Sequence, residues 1–265
     1  LDSLEFSVGD VAQLQHVHWL RDVGNQARGG EADELATALR LFDWTIRNLQ
    51  LSPAELPDAP HSAGVVLLLG KATAIERGWV FVQLARQQGL TALLLAIGEP
   101  DHARFWLPAV LIGGELYLLD VRLGLPIYAA DGKSVATLRQ VVAEPGLLRA
   151  LDLDVEHPYS VQAADLAHLC AWIEASPMFV ARRMHYLESK LVGSQRVRLS
   201  TDPAALAGKL RQAYAFDGIS IWRYPYEQLR QRQAMTPAMR STAALELAPF
   251  RLPLPEKLKS SRFSD

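Results

Sequence analysis

Reactive side chains are few in this sequence, and those that could do chemistry gather around two places. Thr73, Glu76 and Arg77 open a mostly apolar stretch, and Asp120, beside Arg122, closes an apolar run further on. With His61 or His102 added, Thr73, Glu76 and Asp120 would supply a hydrolase or acyl-transferase site, in which a hydroxyl attacks, a base takes its proton and an acid orients the base. A Thr hydroxyl needs a strong base beside it for this, and the preferred role of Thr73 is to cap the helix that follows. His102 lies in the turn-like 98–103 segment and is expected to face solvent. Cys170, the single cysteine, falls with Leu166, Leu169 and Ile173 on one apolar face and reads as a small buried hydrophobe. One cysteine also excludes an intramolecular disulfide and a cysteine-rich metal site. His16 and His18, two apart on a helix, point different ways and make no metal pair.

Several elements must position these groups. A helix is expected over 8–27, carried by Val11, Leu14, Val17 and Val23. An amphipathic helix over 31–50 has Leu35, Leu39, Phe42, Ile46 and Leu49 as its buried stripe, with Glu31, Asp33 and Glu34 at its positive end. Pro53, Pro57 and Pro60 then break regular structure. The apolar run 64–69 fits either a buried strand or a ramp into the next helix. The helix over 73–88 carries Ile75, Trp79, Val80, Phe81, Val82 and Leu84 around most of its circumference, so it is buried on several sides, and Gly89 stops it. Three apolar runs follow, 90–97, 105–112 and 115–119. Gly113 and Gly114 make a hairpin between the last two.

This order of elements resembles the papain-like transglutaminase superfamily, in which a buried helix is followed by an antiparallel three-strand meander. The likeness covers 31–127. Leu84, Arg86, Gly89 and Leu90 are similar to the end of that family's catalytic helix, and Gly78 matches its small residue. The family places a nucleophilic Cys at the helix start, where free amides lower a thiol pKa, a His on the second strand and an Asp at the end of the third. Counting back puts Ala74 at the Cys position. An aromatic, Trp106 or Phe105, stands at the His position, and Asp120 keeps the acid. The resemblance thus implies a degenerate bacterial branch with its site emptied at Ala74, Trp106 and Asp120. Thr73, Glu76, Arg77, Trp79, Phe105, Trp106, Asp120 and Arg122 would line the old cleft. Glu76, Arg77 and Arg122 are the candidate partners that a buried Asp120 carboxylate requires.

Beyond the core, a helix is expected over 134–142 and a short helical piece at 145–151. Pro158, Tyr159 and Ser160 mark a module boundary. An αα-hairpin should follow, its second helix carrying Val180, Met184, Leu187 and Leu191. A βαβ-like unit comes next, with strands at 197–199 and 219–223 around a helix that starts at Pro203 and buries Leu206, Leu210 and Tyr214. Pro237, Pro249, Pro253 and Pro255 point to an extended tail. The expected architecture is α+β: a transglutaminase-like domain over 1–158, a smaller α/β helical module over 159–235 and a Pro-rich tail over 236–265.

Composition narrows the function further. Of the 27 basic residues six are Lys, and the Arg, Ala and Leu enrichment is that of a GC-rich bacterial genome. The net charge of −2 gives no attraction for nucleic acid or an anionic membrane surface, and no apolar run is long enough to span a bilayer. The chain opens at Leu1, so removal of a preceding segment is expected. No phosphate loop, zinc motif or dinucleotide fingerprint is present, and no cofactor is expected. The favoured reading is a catalytically inactive module that binds a protein or peptide or organises its neighbours, with Trp79 and Trp106 suited to binding. The alternative is an active hydrolase or acyl transferase with a rewired site. Compartment and oligomeric state are left open.

Overall fold

The computed structural model describes residues 4–52 and 61–251. Helix α1 (Val8–Arg28) starts where the Asp10 carboxylate accepts from the Ser7 amide and hydroxyl, both at 2.7 Å. Helix α2 (Glu34–Asn48) is capped by Asp33, which accepts from the Ala36 amide at 2.8 Å. Its buried face runs through Ala38, Leu41, Phe42 and Thr45, slightly rotated from the expected stripe, and Leu35, Leu39 and Ile46 are half-buried at the margin. The strand β1 (Gln50–Leu51) follows. The apolar run at 64–69 is helical, as α3 (Ala63–Leu69), and Gly70 ends it with φ 66°. Pro53, Pro57 and Pro60 lie outside the described residues.

Strand β2 (Lys71–Ala72) pairs in parallel with β1 and leads into α4 (Ala74–Gln87), the most deeply buried helix. Strands β3 (Thr91–Ile97), β4 (Arg104–Ile112) and β5 (Glu115–Asp120) form the expected antiparallel meander, and β6 (Leu125–Pro126) adds to β5. Helix α5 (Leu138–Ala143) is shorter than expected. Residues 134–136 are drawn into extended bridges at Tyr128–Val135 and Tyr117–Thr137, and Thr137 caps the helix. Residues Pro145–Leu151 form a 3-10 helix.

The segment after Pro158 departs from expectation. The first helix of the αα-hairpin does not exist: Leu169–Ile173 is β7, which pairs antiparallel with β3 at the centre of the sheet. Leu, Cys, Ala, Trp and Ile in succession satisfy a strand with both faces covered, a pattern that helical spacing mimics over so few residues. Helix α6 (Arg182–Lys190) is present. No strand forms at 197–199. The βαβ unit instead runs from β7 through α7 (Pro203–Ala213) to β8 (Gly218–Ile221), parallel to β7. Helix α8 (Tyr224–Ala234) follows. The expected extended tail is helical as far as it is described, as α9 (Pro237–Arg251); Pro253 and Pro255 lie outside the described residues.

The six-stranded sheet has the order β6-β5-β4-β3-β7-β8. The architecture is α+β. Helices α1 to α4 cover one face, where Leu94, Phe105, Val110 and Leu119 meet Trp79, Val80 and Phe81. Helices α5 and α7 and the 3-10 segments Pro145–Leu151 and Ala163–Ala167 cover the other, where Leu93, Leu95, Leu107 and Leu118 meet Leu138, Val141 and Leu210.

Candidate functional site

Ala74 begins α4 and is 8 % exposed, within the cluster that holds Trp79 and Trp222. The free amides of a helix start would stabilise an anion placed there. Here that anion belongs to the helix itself. Glu76 Oε2 accepts from the Thr73 amide at 2.8 Å and from the Thr73 hydroxyl at 2.9 Å, while Thr73 Oγ1 accepts from the Glu76 amide at 3.4 Å. This reciprocal cap is the role expected of Thr73. Glu76 Oε1 accepts from the Tyr224 hydroxyl at 3.3 Å. Tyr224 in turn stacks on Trp222, with centroids 5.2 Å apart, and both present their rings edge-on to Trp79 at 5.8 Å. Three aromatics and a carboxylate thus occupy the start of the central helix. Residues 222 and 224 carried no signal for this in the sequence, since nothing local links them to a helix so far upstream.

The position facing α4 from β4 is Phe105. Leu95 pairs with Leu107 and Ala96 with Phe105, so Trp106 is the extra residue of a β-bulge. The bulge interrupts the two-residue alternation and turns Phe105 toward the helix, against Gly78, while Trp106 joins the core on the far face. Of the two aromatics considered for the His position, only Phe105 shares a face with Ala74.

Asp120 also lies on the far side. On β5, Leu119 packs toward α4 and Leu118 away from it, and Asp120 is 1 % exposed with its carboxylate turned to the far-side group. Its Oδ1 accepts from the amides of Arg122 at 2.7 Å and Leu123 at 2.9 Å, and its Oδ2 accepts from the Tyr159 hydroxyl. Trp106 Nε1 donates to that hydroxyl at 3.0 Å. Burial first, and the Asp120 charge second, push the Tyr159 pKa far above its ordinary value, so the phenol stays protonated and donates.

Of the expected partners of Asp120, Glu76 and Arg77 are engaged elsewhere and Arg122 serves through its backbone. Arg77 clamps the carbonyls of Leu49 and Val121, Glu76 serves the helix cap, and the exposed Arg122 contributes its amide to Asp120. The eight residues of the expected cleft therefore fall into separate sets: Thr73, Glu76, Trp79 and Phe105 about the first turns of α4, Arg77 as a loop clamp, and Trp106, Asp120 and Arg122 with Tyr159. Tyr159 was legible only as part of a module boundary. Ala74, Trp106 and Asp120 do not converge.

The remaining candidates are dispersed too. His61 is buried and its Nε2 meets Glu246 Oε2 of α9 at 3.1 Å. His102 is exposed in a turn, as expected. Cys170 is buried on a strand instead of a helix, its Sγ 3.5 Å from the Gly98 carbonyl, and burial followed by the nearby Asp217 charge raises its pKa. A thiol held in that state is a poor nucleophile. Cys170, Trp172, Trp222, Ile75, Ala103 and Tyr224 border an open cleft of ≈ 440 Å³ beside the start of α4. Among the described residues, no group of three or more His, Cys, Asp or Glu could hold a metal ion, and no helix is long and apolar enough to cross a membrane.

No protein-family model matches the chain, and no curated protein matches it. Among solved structures, the chain is similar to one described as a putative cysteine protease from Cytophaga hutchinsonii, at 15 % identity with a TM-score of 0.35. The match covers 53 % of this chain and 50 % of that one, so the chain spans about half the length of the structure it matches.

Proposed function

We propose that this chain is a catalytically inactive transglutaminase-like module that binds a protein or peptide partner or organises the segments attached to it. The observation that carries the reading is the start of α4. Ala74 offers no nucleophile, the Glu76 carboxylate already occupies the helix start by accepting from the Thr73 amide and hydroxyl, and Trp222 and Tyr224 pack over the same turn. Phe105 faces the helix without a proton-accepting group, and the Asp120 carboxylate is spent on three donors across the sheet. The open cleft beside this turn, walled by Trp172, Trp222 and Ile75 along β8, the last strand of the sheet among the described residues, has the aromatic lining and strand edge that suit an extended peptide.

The test is turnover. Incubated with a glutamine-containing peptide and hydroxylamine, or with peptide alone, the purified chain should release no ammonia, hydroxamate or cleaved product above the buffer rate. Turnover that vanishes in Glu76→Ala or Asp120→Ala would overturn the proposal and establish a rewired hydrolase or acyl transferase in its place.

A further inference from the structure

A second cavity, of ≈ 470 Å³, lies on the other side of Trp79, between α1, α3, α4, the 176–179 segment and α8. Its walls are apolar where Trp79, Met178, Phe179 and Leu229 line it. Two amide side chains that also line it are deeply buried, Gln83 at 3 % and Gln228 at 9 % exposure. Gln83 Oε1 lies 3.2 Å from His16 Nε2. An amide oxygen only accepts, so His16 carries its proton on Nε2 and the NH₂ of Gln83 is left as a donor. Burial lowers the His16 pKa, which keeps the ring neutral in this arrangement. Among the described residues nothing accepts from that NH₂. Gln228 has the complementary deficit: its Oε1 is buried with no hydrogen-bond partner.

A buried polar atom left unpaired costs about 1–3 kcal/mol. Gln228 Oε1 is such an atom, and the Gln83 NH₂ on the same apolar cavity adds a spare donor, so that the two amides together define a recognition pattern. Rotation about the last side-chain torsion, which is soft for an amide, can turn either end of Gln228 into the cavity. Arg232 also lines it but is exposed and stays hydrated, so discrimination falls to the buried amides.

We propose that this cavity binds a small neutral molecule in which a planar amide or lactam is joined to an apolar body. The ligand carbonyl accepts from Gln83 Nε2, its N–H donates to Gln228 Oε1, and its body lies against Trp79 and Phe179. The site is distinct from the start of α4 and stands whether or not the chain turns over a peptide.

Benzamide is the probe, titrated into the intact chain and followed by ¹H–¹⁵N NMR at the side-chain amide signals of Gln83 and Gln228. Both signals should shift saturably with benzamide, and benzoate and toluene should bind more weakly. Gln83→Leu should weaken benzamide by about tenfold, the equivalent of one hydrogen bond. Ala12, exposed on α1 and part of the cavity lining, supplies a second variant that leaves the core intact; Ala12→Trp should block binding even if Gln83→Leu fails to fold. Absence of a saturable shift, unchanged affinity in either folded variant, or tighter binding of benzoate dependent on Arg232 would overturn the proposal.

Discussion

Asp120 holds a carboxylate where water does not reach, and three donors keep it there: two amides of the turn that follows and the hydroxyl of Tyr159. The two amide bonds shape the tight turn through Gly124, whose φ of 72° and contact with Ile46 leave no room for a side chain. The third bond ties this turn to a segment 39 residues away and, through Trp106, to the bulge of β4. Removing the phenol oxygen would leave the carboxylate and the indole N–H both short of a partner. Tyr159→Phe should therefore cost about 2–3 kcal/mol, near the top of the range for one buried hydrogen bond because the acceptor is charged. Urea unfolding of the variant would measure it, and a loss below about 0.5 kcal/mol would refute the assignment. The sequence showed that a carboxylate at 120 would need partners. It pointed to Arg122 but could not show that the bond would run through its backbone amide, and nothing near residue 159 marks it as a donor to a distant strand.

At the scale of elements, α4 and the meander behind it were legible because apolar periodicity, a capping threonine and glycine turns agreed there. The bulge at Trp106 was not, since alternation counts residues and an inserted one shifts the count unseen. Gly78 records the outcome. A β-carbon there would stand 3.1 Å from the Phe105 ring and 3.2 Å from Leu94, so the glycine is what lets β3 and β4 approach the helix. For Gly78→Ala, the gain of about 1 kcal/mol in helix propensity and the crowding work against each other, so its stability should stay within about 1 kcal/mol of the parent. Gly78→Val has no such offset and should cost about 2–3 kcal/mol as a small-to-large change in a packed core. Phe105→Leu, which shortens the opposing ring, should recover part of the Gly78→Val loss in a double-mutant cycle. Simple additivity of the two changes would show that the ring and the helix do not press on each other.

For the whole molecule, the decisive fact is where β7 goes. Residues beyond 158 were expected as a separate module, but Leu169–Ile173 pairs with the inner strand β3 along four residues, and β8 continues the same sheet. Each of the two large core groups takes side chains from before and after residue 158: Trp222 packs with Trp79 on one face, and Leu210 with Leu107 on the other. A fragment ending at 158 would lose the strand on one side of β3, the Tyr159 donor to Asp120 and the aromatic cover on α4. It would expose an apolar strand edge that invites association. Unfolding of the chain should accordingly be a single transition, with tryptophan fluorescence and far-UV circular dichroism coincident along a urea titration. The fragment 1–158 should show no cooperative transition, whatever its residual helix content. A fragment that unfolds sharply, with a denaturant slope in proportion to its size, would restore the two-module division and make the strand pairing between β3 and β7 a docking contact between independent units.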